Sequence, residues 1–294
     1  MGDVLVVGSA GFIGSVLART LESQGHRVYG LQRSGTAGPG VILGDITKPP
    51  VPVGDVSYDC VFHLASLTPM VRDAGALRSV NVEGARNLLE AVRDRTGAFV
   101  YASGLGVYGN VDGAISESTP YNPDTEFARM RRESHQHLED GCREAGIRFS
   151  AVMFGDVYGP GGWFRDMLVK RISAGTMMLP AGGRYRKAFL HVEDAAGIMS
   201  AVLDAGLERP AYVAASPQSV TFREFVWHTA DVLGARRPRG VPAFAARLAL
   251  GKDMTKLLCT PTAVSGEAVS EIYELKYADY RSGLDYTISA LEGR

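Results

Sequence analysis

Gly8-Ser9-Ala10-Gly11-Phe12-Ile13-Gly14 decides how this chain folds. An apolar run at residues 4–7 precedes it, and residues 12–24 follow with Ile13, Val16, Leu17 and Leu21 at helical spacing. The pattern is strand, turn, helix. Glycines at 8, 11 and 14 let the backbone turn tightly and approach a pyrophosphate, with the free N–H groups of the helix start facing it. Phe12 and Ile13 join Gly8, Gly11 and Gly14 as candidate cofactor contacts.

Further strands are expected at residues 26–31, 60–65, 98–102 and 149–154, all nearly unbroken apolar runs. Between them, residues 81–94 carry Val82, Ala85, Leu88, Leu89 and Val92 on one helical face, and residues 126–145 form a longer polar helix. Strands of that kind alternating with helices predict an α/β fold, a Rossmann-type doubly wound parallel sheet covered on both faces. From Gly155 onward Gly and Pro punctuate the chain. We expect a dinucleotide-binding domain from residues 1–156 and 188–213, with a smaller, mostly C-terminal substrate-facing subdomain from 157–187 and 214–294.

Where an NAD site carries an acidic residue after its second strand, this chain has Gln32, Arg33 and Ser34. A guanidinium and a hydroxyl bind a 2′-phosphate that a carboxylate would repel, which favours NADPH over NADH. The bland reading, Arg33 as a solvated loop residue and Gln32 accepting either cofactor, leaves NADH possible.

With these residues stand Gly44-Asp45-Ile46, Phe62-His63-Leu64-Ala65-Ser66, residues 81–89, Val107-Tyr108-Gly109, Asp156-Val157-Tyr158-Gly159-Pro160 and residues 189–196. Together they resemble the extended branch of the short-chain dehydrogenase/reductase superfamily, which includes nucleotide-sugar epimerases and dehydratases. The resemblance implies that Asp45 and Ile46 contact adenine and that Leu64, Ala65 and Ser66 line the cofactor's path, with Phe154 at the end of its strand. His63 reads as a core residue.

The same resemblance implies a Tyr-x-x-x-Lys acid/base pair, yet the register holds Phe127-Ala128-Arg129-Met130-Arg131. Phe127 has no proton to give. Arg131 keeps a ribose-binding role without a phenol to tune. The assisting hydroxyl residue is displaced too: Gly104 holds its position and Ser103 precedes it, so Ser103 and Arg131 are the catalytic candidates left. Tyr121 is a weak stand-in for the missing phenol. Phe127, Asp156, Tyr158 and Trp163 are candidate substrate contacts, with Phe164, Met167, Met177 and Met178 as a further aromatic and Met supply.

A positioned general acid is worth roughly 10² to 10⁴ in rate, whereas orientation supplies about 7 to 11 kcal/mol. Reduction therefore survives the loss of Tyr if another proton reaches the oxyanion. A ketone beside a phenol carries that proton itself. The combination resembles the atypical ketoreductases of actinomycete aromatic polyketide pathways, implying a polycyclic aromatic ketone as substrate. The rivals are a nucleotide-sugar epimerase or dehydratase and a non-catalytic NADP-binding sensor.

Composition fits a small-molecule enzyme. The 294 residues carry a formal charge of -1, which suggests neither nucleic acid nor an anionic membrane as a partner. Cys60, Cys142 and Cys259 stand far apart in no metal-ligand spacing, so neither a metal site nor a disulfide framework is expected. No run approaches the roughly 20 apolar residues of a membrane span. No cleavable leader is read at residues 1–7, and a cytoplasmic location is expected.

Overall fold

Alternate side chains of the first strand, β1 (Asp3–Val7), enter two separate cores. Leu5 and Val7 join one, Val4 and Val6 the other, and all four are fully buried. A strand buried on both faces belongs inside a parallel sheet. In the computed structural model, which describes residues 1–293, it does.

After β1 come α1 (Phe12–Ser23), β2 (Arg27–Gln32), β3 (Val41–Leu43), β4 (Cys60–His63) and α2 (Gly84–Val92). They are followed by β5 (Ala98–Gly104), α3 (Glu126–Glu144), β6 (Arg148–Phe154), α4 (Val192–Asp204) and β7 (Ala211–Ala214). The seven strands form one parallel sheet in the order β7-β6-β5-β4-β1-β2-β3. The order reverses between β1 and β4, which opens the crevice where α/β sheets bind ligands. This is the Rossmann-type α/β architecture expected from the sequence.

One face packs Leu88 and Leu89 of α2 and Leu138 and Cys142 of α3 against Phe99, Tyr101 and Met153. The other packs Leu17 and Leu21 of α1 and Ile198 and Met199 of α4 against Val100 and Val152. A third core joins Phe164, Leu168 and Phe189 to α5 (Phe222–Val232) and α8 (Tyr280–Leu291). It lies beyond the paired short strands Asp156–Tyr158 and Phe189–His191. Between α5 and α8 run α6 (Ala243–Leu250) and α7 (Lys252–Cys259).

Two elements depart from the sequence reading. The strand expected at 60–65 ends at His63, because the chain must swing past Gly8, where a Cβ would lie only 2.9 Å from the Ala65 nitrogen. The helix expected at 81–94 starts earlier, with Ala74–Arg78, and passes through a π-turn at Ser79–Glu83 before α2. The π-turn buries Asn81, whose side chain accepts from Leu67 N and donates to Leu67 O, both at 2.9 Å. That pair fixes the loop after β4.

His63 is a core residue, as its setting in an apolar strand suggested. Its ring stacks on Tyr101 at 5.5 Å, and neither nitrogen has a partner among the described residues. Burial, and then the Arg131 charge, push its pKa down from 6.5 to about 3. Between those values the unfolded chain binds a proton that the folded chain refuses, so stability falls as pH drops through that window. His63→Phe, which loses no hydrogen bond, is expected to flatten the slope by up to about 1.4 kcal/mol per pH unit in urea unfolding. An unchanged slope would mean that His63 titrates alike in both states.

Candidate active site

The glycine turn is built by backbone contact. Gly8 adopts a φ of +91° and its carbonyl accepts from Gly11 N at 2.8 Å. A Cβ on Gly14 would sit 2.2 Å from that carbonyl oxygen and one on Gly11 2.9 Å from it, so no side chain fits at either place. Gly11 caps α1 without a side-chain bond, and no acidic residue occupies the helix's first turn. The positive end of the helix is left free for an anion, which fits a dinucleotide pyrophosphate.

A cavity of about 720 Å³ opens from this turn. Gly8, Gly11, Phe12, Ile13 and Gly14 form one border, and Leu64, Ser66 and Ser103 another. Phe127 and Arg131 enter from α3, Phe154 and Asp156 from the end of β6, and Trp163, Met167, Met177 and Met178 from the segment beyond. The Trp163 indole is fixed by donating to the Val157 carbonyl at 2.6 Å. Ala65 meets the turn through its backbone at Gly8.

Gln32, Arg33, Ser34, Asp45 and Ile46 do not border this cavity. Gln32 closes β2 and accepts from Ser9 Oγ at 3.3 Å, while Arg33 and Ser34 are exposed just beyond it. The Asp45 carboxylate takes the Thr47 N–H at 2.9 Å and hydroxyl at 2.8 Å, and those bonds hold its pKa below the usual range. Ile46 is buried, and its carbonyl accepts from Asn87 Nδ2 at 2.9 Å.

A family model described as the NAD dependent epimerase/dehydratase family matches residues 4–215. The chain belongs to that family. A 3-diazoavenalumate denitrifying reductase from a Streptomyces species is 28% identical over 96% of this chain and 98% of the relative. A 2-alkyl-3-oxoalkanoate reductase from Stenotrophomonas maltophilia is 25% identical over 86% of this chain and 82% of the relative. In fold, a human epimerase family protein solved with NADPH superposes with a TM-score of 0.84, at 22% identity, over 99% of this chain and 100% of the other.

In this epimerase/dehydratase-family chain Ser103, Gly104, Phe127 and Arg131 all border the cavity. Phe127 is half-buried and packs against the cluster of Leu77, Val82 and Met130 while bordering the cavity. A Cβ on Gly104 would meet nothing nearer than the Phe154 carbonyl at 3.6 Å, so crowding does not impose that glycine. Ser103 borders the cavity with its buried hydroxyl unpartnered among the described residues. Arg131 donates to the Ala102 carbonyl and lies 4.7 Å over the Tyr101 ring.

Two candidates are placed elsewhere. Tyr158 packs among Phe164, Phe189 and Phe225, away from the cavity border. Tyr121 stacks beside Tyr108 at 5.1 Å, beneath Arg132. The sequence reading missed Lys187 and the wall made by α6 and α7. Ala245, Ala246 and Ala249 of α6 face the cavity, whereas Phe244 and Leu248 are exposed. A helix with small residues on its lining face gave no apolar stripe to read.

Gly14→Ala is expected to raise the dissociation constant for NADPH more than tenfold, because the helix must retreat from the Gly8 carbonyl. Titration of NADPH fluorescence measures it, and unchanged affinity would remove the turn from the cofactor site.

Proposed function

We propose that this protein is an NADPH-dependent ketoreductase that reduces a carbonyl of a polycyclic aromatic ketone of the angucyclinone type, in the biosynthesis of an antibiotic polyketide. The observation that carries the reading is Phe127, a side chain without a proton, at the border of a large and mostly apolar cavity that opens from the glycine turn. Among the atypical ketoreductases of aromatic polyketide pathways, the chain resembles the angucyclinone 7-ketoreductase of simocyclinone biosynthesis.

When bound, the dinucleotide supplies a hydride to the carbonyl carbon. Gly8, Gly11 and Gly14 would hold its pyrophosphate, Gln32, Arg33 and Ser34 its adenosine 2′-phosphate, and Arg131 its ribose. Asp45 and Ile46 would border the adenine, and Leu64, Ala65, Ser66 and Phe154 the nicotinamide half. Ser103 would hydrogen-bond at the reacting centre. Phe127, Trp163 and the Met side chains would clamp the planar ring system and exclude water, leaving the neighbouring substrate phenol to protonate the new alkoxide. Residues 157–187 and 214–294 form the substrate-facing part in this reading.

The family description keeps a nucleotide-sugar epimerase or dehydratase as the second reading. Phe127 counts against it, because that chemistry needs the missing phenol. A non-catalytic NADP-binding sensor would share the Phe127 signature.

Incubation with NADPH and hydroxyquinonoid ketones is expected to give products heavier by two hydrogens. Methylating the hydroxyl beside the carbonyl should slow reduction by roughly 10² or more, the worth of a positioned acid. Equal rates on both would end the substrate-assisted mechanism, and tight NADPH binding without turnover on any ketone would favour the sensor. Arg33→Ala should weaken NADPH about tenfold while sparing NADH, the loss of one charge-assisted bond to the 2′-phosphate. Equal losses for both would assign Arg33 elsewhere.

A further inference from the structure

One buried lysine, paired with a partly exposed carboxylate, borders the cavity without a part in the chemistry above. Lys187 is 5% exposed, and its Nζ lies 3.0 Å from Asp156 Oδ2. The same ammonium donates to the carbonyls of Leu257 at 3.3 Å and Thr260 at 3.5 Å, at the end of α7. The ammonium is thus bonded to two carbonyls and paired with one carboxylate. One backbone bond and one bond to a side-chain hydroxyl fix the junction: Asp156 N donates to Ala188 O at 2.9 Å, and Ala188 N to Thr262 Oγ1 at 3.0 Å.

The carboxylate is not used up. Asp156 is 38% exposed along its side chain, and its Oδ1 accepts no hydrogen bond from any described residue. It borders the cavity beside Lys187, Thr260 and Thr262, in a lining that is otherwise apolar on that side, with Phe189, Phe222 and Leu257. A carboxylate oxygen that loses water when a ligand enters must be given a donor, or the lost hydration is uncompensated. Lys187 already balances the charge, so a cationic ligand gains no net attraction, and a phosphate would meet the open carboxylate oxygen. A neutral O–H donor suits the place.

We propose that Asp156, positioned by Lys187, accepts a hydrogen bond from a ring hydroxyl of the ligand remote from the carbonyl that is reduced. The pair thereby selects hydroxylated polycyclic aromatics and fixes which edge of the ring system lies toward α7. The inference takes its ligand class from the ketoreductase reading, but it concerns binding and needs no turnover.

The probes are emodin, a trihydroxyanthraquinone, and its trimethyl ether, each titrated by Trp fluorescence into the full chain saturated with NADP+. The native protein is expected to bind emodin more tightly than the ether. Asp156→Asn should weaken emodin about tenfold and leave the ether unchanged. Lys187→Met should lose the same preference, and Lys187→Arg should keep most of it. Emodin and ether binding equally to the native protein would overturn the proposal, as would an Asp156→Asn loss shared by both. If Asp156→Asn fails to melt cooperatively, the native comparison and the Lys187→Arg variant still decide it. Because no reduction is read, failure of the ketoreductase reading on every ketone would leave this result standing or falling by itself.

Discussion

The contact between α1 and the Gly8 carbonyl is the constraint on which the site depends. With a Cβ position on Gly14 only 2.2 Å from that oxygen, helix and turn meet backbone to backbone. The helix start is thereby delivered into the crevice at the sheet's switch point, with its N–H groups unscreened by side chains. The same compactness reaches the neighbouring strand, since Gly8 also lies against Ala65. The loop after β4 has one path open to it, and Asn81 holds that path through Leu67.

Against that fixed frame, helix α3 brings Phe127 and Arg131 to the cavity border. Helix α3 is capped by Thr125, which accepts from Ala128 N at 3.1 Å, and docked through Arg131 on the Ala102 carbonyl. The Phe127 ring is held by apolar neighbours on one side and borders the cavity on the other. A phenol there would gain a proton to give, and Gly104 has room for a hydroxyl residue beside it. Geometry therefore does not forbid an acid.

The fold was legible because every strand that positions the site is a short apolar run and the glycine turn admits one conformation. The glycine turn was legible for the same reason, since close backbone approach leaves its trace in residue type. The substrate side was harder to read. Tyr158 stands in a motif segment and yet packs in the third core, on the short strand Asp156–Tyr158 that pairs with Phe189–His191. Lys187 lies between Arg186 and Ala188, and no local pattern marks a lysine that will be buried against a carboxylate 31 positions away. Such pairings are tertiary facts.

The wall of α6 and α7 is attached in part by exposed polar contacts. Asp253 accepts from Glu126 N at 2.9 Å, Lys256 pairs with Asp124 at 2.9 Å, and Arg72 donates to the Ala249 carbonyl at 2.7 Å. Exposed bonds of this kind are worth about 0 to 1 kcal/mol each, far below what the buried side chains of the three cores contribute. Within α6 and α7 only Ala246 and Thr255 are buried. The wall therefore belongs to the low-stability end of the structure, where local opening is cheapest. Lys187 holds it from the buried side, donating to the Leu257 and Thr260 carbonyls while pairing with Asp156.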